Sequence, residues 1–564
     1  MSYPINRRRA LQGGGLLAAS LFLAACGGGP PPPVLRAPGE GFGRNDINPR
    51  PRDQVRDGGD LLWPIDELPQ NLNNNQFDGG TTYVSTVIGP VIASPIKATA
   101  DGELVPNPDY LTAMRLTSTS PQVVTYTIHP RATWSDGTPI TWRDFEAQWK
   151  ALNGTNPAYL VSSTVGYDVI GSVTRGADDK EAVVTYARPL GEWNTLFSPL
   201  YPASTNSDPA VFNTGWLNKI PVTAGPFKLD SIDQGAKTAT FSRDPRWWGT
   251  PAKLDRIIIK QYERTALADA LANNEIDFYE IGSSVDLFRR AQGIPGVVVR
   301  QSTERLYSHV TFNGAPGSIL SDLPVRQAIG KAINREAIAT RLLGQITPHP
   351  VPLGNTMYPI GTREYRDNSA ALTYDQAAAN QMLDSAGWTR PSPGGTRTKS
   401  GKPLALRLLG NTNNPVNDLI NKTLLDQLGQ VGATVSVSTA DTTQWQTALR
   451  GGDFDMVGFG WQIGTAPFVG SRGLYENPAG GDVRQNYGRI FSQRILDLFN
   501  QGTVELDDVK RAELGNEVDR LIWQEAHHLP LYAYPGAYAV RSTLANFGAS
   551  GFAETDYINA GFVK

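Results

Sequence analysis

Five histidines, one cysteine and 54 carboxylates are the groups with which this 564-residue chain could do acid–base, nucleophilic or metal chemistry. The histidines are His129, His309, His349, His527 and His528. Neighbouring side chains point to different sides of most backbones, so His527 and His528 make a poor chelating pair. The phosphate-binding string GxxxxGK(S/T) and the zinc-protease string HExxH are both missing. The nucleophile-elbow string GxSxG is missing too, since Gly548-Ala549-Ser550-Gly551 has the wrong spacing. The carboxylates are scattered, and no glycosidase pair stands out among them. One cysteine permits neither a disulfide framework nor a cysteine metal cage. The net charge of −3 is spread without a basic patch, which argues against nucleic acid. These absences disfavour an enzyme: no catalytic residue, metal or cofactor is expected.

The lone cysteine has a context of its own. Arg7, Arg8 and Arg9 precede the apolar run Leu16–Ala25, and no acid lies in that stretch. A basic head, a short apolar run and small residues at its end make an export signal, too short to span a bilayer comfortably. Leu23-Ala24-Ala25-Cys26 resembles a bacterial lipobox, in which the peptide is cut before Cys26 and the thiol carries lipid. "NRRRAL" also looks like a loose twin-arginine motif, so export by either the Sec or the Tat route is open. Removing residues 1–25 takes the formal charge from −3 to −6. The Gly- and Pro-rich segment after Cys26 has no apolar periodicity and reads as a tether, residues 26–59.

The body must then supply the elements that position a ligand. Asp60–Ile65 reads as a strand and Asn71–Gly80 as a polar loop. In Gln122–Pro130, Val124, Tyr126 and Ile128 share one face of a strand. Thr141 is placed to cap a helix with Asp144 three residues on. Gly225–Gly249 reads as two strands around a glycine turn. Leu254–Tyr262, a helix through Leu267 and Leu271, and a further strand read as a β-α-β unit with parallel strands. Two helices follow around Val325, Ile329 and Ile333, the second capped by Asn334 and ended by Gly344. Thr373–Trp388 reads as a capped helix stopped by Gly387. Pro403–Asp441 is a second β-α-β unit, and Phe454–Trp461 a further apolar strand.

Several stretches together resemble family 5 of the bacterial extracellular solute-binding proteins. They are "TWSDGTPITWRDF", "GPFKL" with "SRDPRWWG", "VRQAIGKAINREAI", "TYDQAAANQMLDSAGW" and "HLPLY", in the expected order over roughly residues 60–541. The resemblance implies an α/β fold of the two-lobed periplasmic-binding-protein type, with mixed sheets, flanking helices and a hinge. It implies lobe I over residues 60–300 with an inserted subdomain (about 96–204), lobe II over 301–526, and a return to lobe I over 527–564. It also implies a membrane-tethered monomer that hands a peptide or related solute to an ABC permease and ATPase at the outer face of the cytoplasmic membrane.

Peptide-binding members commonly place an Asp three residues after a Gly-Trp pair, where it holds the peptide ammonium. Here Gly460-Trp461 is followed at that position by Gly464, and the next acid is Glu476. Either another acid such as Asp78 serves, or the ligand presents no amine there. The same fold includes lipoproteins of envelope lipoglycan assembly, so a glycolipid is the alternative ligand. Polar "NLNNNQF" and "NTNNP" with Trp rings suit a sugar. A surface hydrolase is a third reading. The expected cleft residues are Asp78, Tyr307, Trp445, Trp461, Gln462 and Thr465.

Overall fold

The computed structural model describes residues 45–348, 350–412, 414–476 and 483–564. The expected signal, Cys26 and most of the tether lie outside them. Order begins before Asp60: Asp46 bridges Ala549 and Val55 bridges Val563, so residues 45–59 run along the end of the chain. Among the described residues no helix is long and apolar enough to cross a membrane.

The architecture is two-lobed and α/β. One lobe is organised by a four-stranded sheet, Asp60–Ile65, Arg256–Gln261, Thr238–Arg243 and Phe227–Asp233 in spatial order. Its core gathers Leu61, Val84, Trp216, Phe241, Ile257 and Ile259. Asp60–Ile65 pairs parallel with Arg256–Gln261, a contact nearly 200 residues apart in sequence. The β-α-β unit expected after Leu254 does not form. The helix is only Leu267–Ala272, and Phe278–Glu280 joins a different sheet, antiparallel to Ala537–Arg541. Asp277, the residue before that strand, touches the edge of Asp60–Ile65: its carboxylate accepts from Leu62 N–H at 2.7 Å and its own N–H donates to the Leu62 carbonyl at 3.0 Å. A side chain stands there in place of a backbone partner, and the strand that follows pairs with Ala537–Arg541.

An antiparallel sheet, Leu111–Thr119, Gln122–Ile128, Glu181–Tyr186 and Ile170–Arg175, builds a separate core with Tyr126, Phe145 and Phe197. Gln122–Ile128 alternates buried and half-buried residues as its pattern predicts. The helix Trp142–Leu152 packs on it behind the expected capping box, Thr141 with Asp144.

The second lobe is built on a five-stranded sheet: Thr434–Ala440, Ala405–Asn411, Met456–Gln462, Leu306–Phe312 and His528–Ala533. The unit Ala405–Asn411, helix Pro415–Gln430, Thr434–Ala440 is parallel as expected. Asn334 caps the helix Arg335–Leu343 as expected. The helix in Thr373–Trp388 starts later, at Gln376, because the Asp375 carboxylate and not Thr373 accepts from Ala378 N–H. Gly387 does end that turn with φ +83, a conformation that costs other residues a Cβ clash. The strands Phe278–Glu280, Ala537–Arg541 and Val297–Gln301 form a small sheet beside both lobes' cores.

Candidate ligand-binding cleft

Crossover order places the site. From Ala405–Asn411 the chain crosses to Thr434–Ala440 on one side, then returns through helix Thr442–Gly451 to Met456–Gln462 on the other. Open α/β sheets bind ligands outside the carboxyl ends of their strands, where the order reverses. Here that crevice is flanked by Asn411 and Gln462. Gln462 pairs with Leu306, so Glu304 and Arg305 also reach it.

Five of the six expected residues lie on this edge or the sheet behind it. Tyr307 and Trp461 are register partners. Trp461 packs edge-to-face on Phe459 at 5.7 Å, and Phe459 in turn on Trp445 at 5.7 Å. Gln462 and Thr465 are exposed at the end of the strand. Tyr307 is buried rather than open, packed with Leu353, Ile360 and Ile463. Asp78 is not brought to this edge. It lies in the turn Phe77–Gly79, accepts from Gln76 Nε2 at 3.2 Å, and its neighbour Phe77 N–H donates to the Leu160 carbonyl.

The ladder also holds histidines that the motif search set aside. His309 packs on Phe459 at 4.3 Å and on His528 at 5.4 Å. His309 Nδ1 and His528 Nε2 are buried without a partner, as are Trp445 Nε1 and Asn411 Oδ1. Burial pushes both imidazoles down, His309 to about 3, so they stand neutral. A cavity of about 30 Å³ lies among Tyr307, His309, Phe459, Trp461, Tyr475 and His528. Among the described residues no group of three His, Cys, Asp or Glu is arranged to hold a metal ion.

Two charged neighbours at the mouth have no ion pair with each other. Burial, and then the charge of Glu280, push the Glu304 carboxyl up, and its Oε2 has no partner. Arg305 lies over the Phe552 ring at 4.7 Å and donates one long bond, Nη1 to the Gly464 carbonyl at 3.5 Å. Burial alone pulls its guanidinium down to about 10. The position where the resemblance places an acid is thus a carbonyl facing a cation.

A second charged contact is fully partnered. Glu192 follows Leu190, whose backbone is held on both sides by buried Gln122: Leu190 N–H donates to Oε1 at 2.7 Å and Nε2 donates to the Leu190 carbonyl at 3.0 Å. The Glu192 carboxylate accepts from Phe468 N–H and Val469 N–H, each at 3.0 Å, at the start of helix Pro467–Ser471. Gly191 N–H donates to the Thr503 carbonyl at 2.7 Å. A Cβ at Gly191 would stand 2.2 Å from the Glu505 carbonyl oxygen, so only glycine lets the segments meet. Burial pushes Glu192 up to about 7 against the lowering effect of the two N–H groups and Arg511. Sequence reading missed Glu192 and Arg305 because nothing in their local pattern sets them apart.

A cavity of about 780 Å³ lies elsewhere, among Trp63, Ser85, Lys97, Asp109, Trp247 and Tyr557. All of its lining comes from residues 63–247 and 553–559, and none of the six expected residues reaches it. We place the cleft at the sheet edge because the crossover order and the unspent polar atoms coincide there.

A two-lobed α/β body with such an edge defines a class, the solute-binding receptors, and the chain belongs to family 5 of the bacterial extracellular solute-binding proteins. The model of that family's middle portion matches residues 106–481. The chain is 37% identical over 527 residues to the oligopeptide-binding protein OppA of Mycobacterium tuberculosis, covering 92% of this chain and 87% of that one. It is 28% identical over 385 residues to the "Probable monoacyl phosphatidylinositol tetramannoside-binding protein LpqW" of the same species, covering 63% of this chain and 59% of that one. The solved periplasmic EDTA-binding protein EppA shares the fold, with a TM-score of 0.84 at 24% identity over 92% of this chain and 98% of that one.

Proposed function

We propose that this protein captures peptides between its lobes and delivers them to an ABC importer. The observation that carries the reading is the sheet edge at the strand ends, where the Asn411 amide oxygen has no partner, Gln462 and Thr465 are exposed, and Trp461 packs on Phe459. The similarity to OppA over most of both chains supports a peptide as the solute. Lobe I comprises residues 60–300, with the inserted subdomain at about 96–204, and the end of the chain; lobe II comprises 301–526 and also the strand His528–Ala533, which pairs with Leu306–Phe312, so the return to lobe I expected at 527 falls after that strand. Hinge closure then buries the ligand and creates the form a transporter recognises. Asp78, Tyr307, Trp445, Trp461, Gln462 and Thr465 are proposed to line or support the cleft, Asp78 from the opposite lobe. Cys26 carries the lipid anchor, with two or three acyl chains for stable attachment. The body acts as a monomer without cofactor, and binding rather than catalysis is its activity.

A glycolipid ligand is the second reading. It rests on the similarity to LpqW and on the unpartnered Asn411 amide oxygen and Trp445 indole N–H. Titration of the full chain with a pool of unblocked pentapeptides, followed by tryptophan fluorescence, separates the two. Saturable change with peptides supports the first reading. No change with peptides, and saturation with a mannosylated phospholipid, overturns it.

A further inference from the structure

The donors of the chain's buried arginines are mostly spent on the protein itself. Arg326 donates to the carbonyls of Leu320, Ser321, Glu525 and Ala526. Arg300 donates to the carbonyls of Leu544 and Phe547. Arg397 is held by Val431, Trp388 and Asn380 and pairs with Asp384. These residues behave as struts between distant loops.

Arg305 does not. Its guanidinium has five N–H donors, yet the only hydrogen bond it makes among the described residues is the 3.5 Å contact to the Gly464 carbonyl. It forms no ion pair there. The adjoining segment Gln462–Ala466 carries no acid. Burial costs this cation solvation, and no carboxylate offsets the cost. One face is covered by Phe552 and Nη2 stands 3.3 Å from where a Cβ on Gly102 would lie, while the contact with Gly464 is exposed, so the group is held half-buried with donors that a ligand can reach. The remaining donors form a planar fork of the shape that takes a carboxylate with two parallel bonds.

We infer that Arg305 receives an anionic group of the ligand, a carboxylate such as a peptide's C-terminus, at the Gly464 end of the cleft. Selectivity at this end is then for negative charge, and a free ligand amine is not required there. The inference rests on the peptide-receptor reading above.

The test uses the full chain and three probes: pentaalanine, N-acetyl-pentaalanine and pentaalanine amide, titrated calorimetrically. Acetylation should leave affinity within about twofold, and amidation should lower it about 10- to 100-fold, the range of a charge-assisted hydrogen bond. In Arg305→Met, which keeps an apolar side chain over Phe552, the free-acid and amide probes should bind alike. Arg305→Lys should fall between. Equal binding of all three probes to the wild-type chain overturns the inference and leaves the receptor reading standing. If no probe binds, the peptide reading fails, and thermal stabilisation by citrate decides the inference. Stabilisation of the wild type and not of Arg305→Met upholds a carboxylate site, while equal stabilisation of both overturns it.

Discussion

Glu192 and Arg305 are both charged, both sheltered and both set where distant segments meet, yet they are partnered in opposite ways. Glu192 has its two oxygens on two backbone N–H groups, and the loop that carries it is held by Gln122. Arg305 has one long bond for five donors. Glu304 Oε2, beside it in sequence, has no partner, and neither do Trp445 Nε1 and Asn411 Oδ1. Buried polar groups normally find partners, and each exception calls for a reason. The contrast separates a contact that the protein completes by itself from one that it leaves for a ligand. Substitutions at Glu192 should therefore change stability, and substitutions around Arg305 and Trp461 should change affinity.

The largest expected effect is at Glu192. Glu192→Ala strands the N–H groups of Phe468 and Val469 in a buried place and should cost about 3 kcal/mol, read from denaturant midpoints at constant slope. A loss under about 0.5 kcal/mol would mean that the contact is not formed in solution.

The same residue predicts a pH dependence. Its carboxyl is raised from 4.5 to about 7, so the folded chain binds more protons than the unfolded chain between those values. Stability from this group is fully present below the unfolded pKa and declines as pH rises through about 7. Relative to Glu192→Gln, which keeps the neutral form, the wild type should lose about 2–3 kcal/mol between pH 4.5 and pH 8. Parallel pH profiles for the two proteins would refute the assignment.

Gly191→Ala tests the close approach behind that contact. Its Cβ would meet the Glu505 carbonyl oxygen at 2.2 Å, a backbone atom that cannot rotate away. Overpacking of this kind costs about 1–3 kcal/mol, and the thermal midpoint should fall without change in ligand affinity.

On the other side of the comparison, Trp461→Ala should leave the fold intact but weaken ligand about tenfold and abolish the ligand-induced fluorescence change. Retained affinity and fluorescence would move the cleft away from this strand. Asp78→Asn should be the mildest, about threefold in affinity, because Asp78 contacts Gln76 and is proposed to meet the ligand only when the lobes close. Unchanged affinity would remove Asp78 from the cleft.

The sequence made local structure legible wherever one element decides its own fate. The capping box of Thr141 and Asp144, the alternation of Gln122–Ile128 and the parallel unit from Ala405 to Ala440 all follow from periodicity and end signals. The expected parallel unit after Leu254 failed because its second strand found a distant partner: Phe278–Glu280 pairs with Ala537–Arg541, and only Asp277 before it touches Asp60–Ile65. The helix expected from Thr373 shows a milder limit at short range, since the Asp375 carboxylate takes the Ala378 N–H and starts the helix at Gln376. The strand Met456–Gln462 was readable as an apolar run ending in a Gly-Trp pair. Arg305 and Glu192 were not, because what distinguishes them is which atoms far along the chain do or do not reach them.

The most direct test of the account is native mass spectrometry of the full chain purified from the cell that makes it, with the released ligand sequenced. A receptor of this design should carry short peptides at one per chain, most of them with a free C-terminal carboxylate. Recovery of a mannosylated phospholipid at the same stoichiometry, with no peptide, would contradict it.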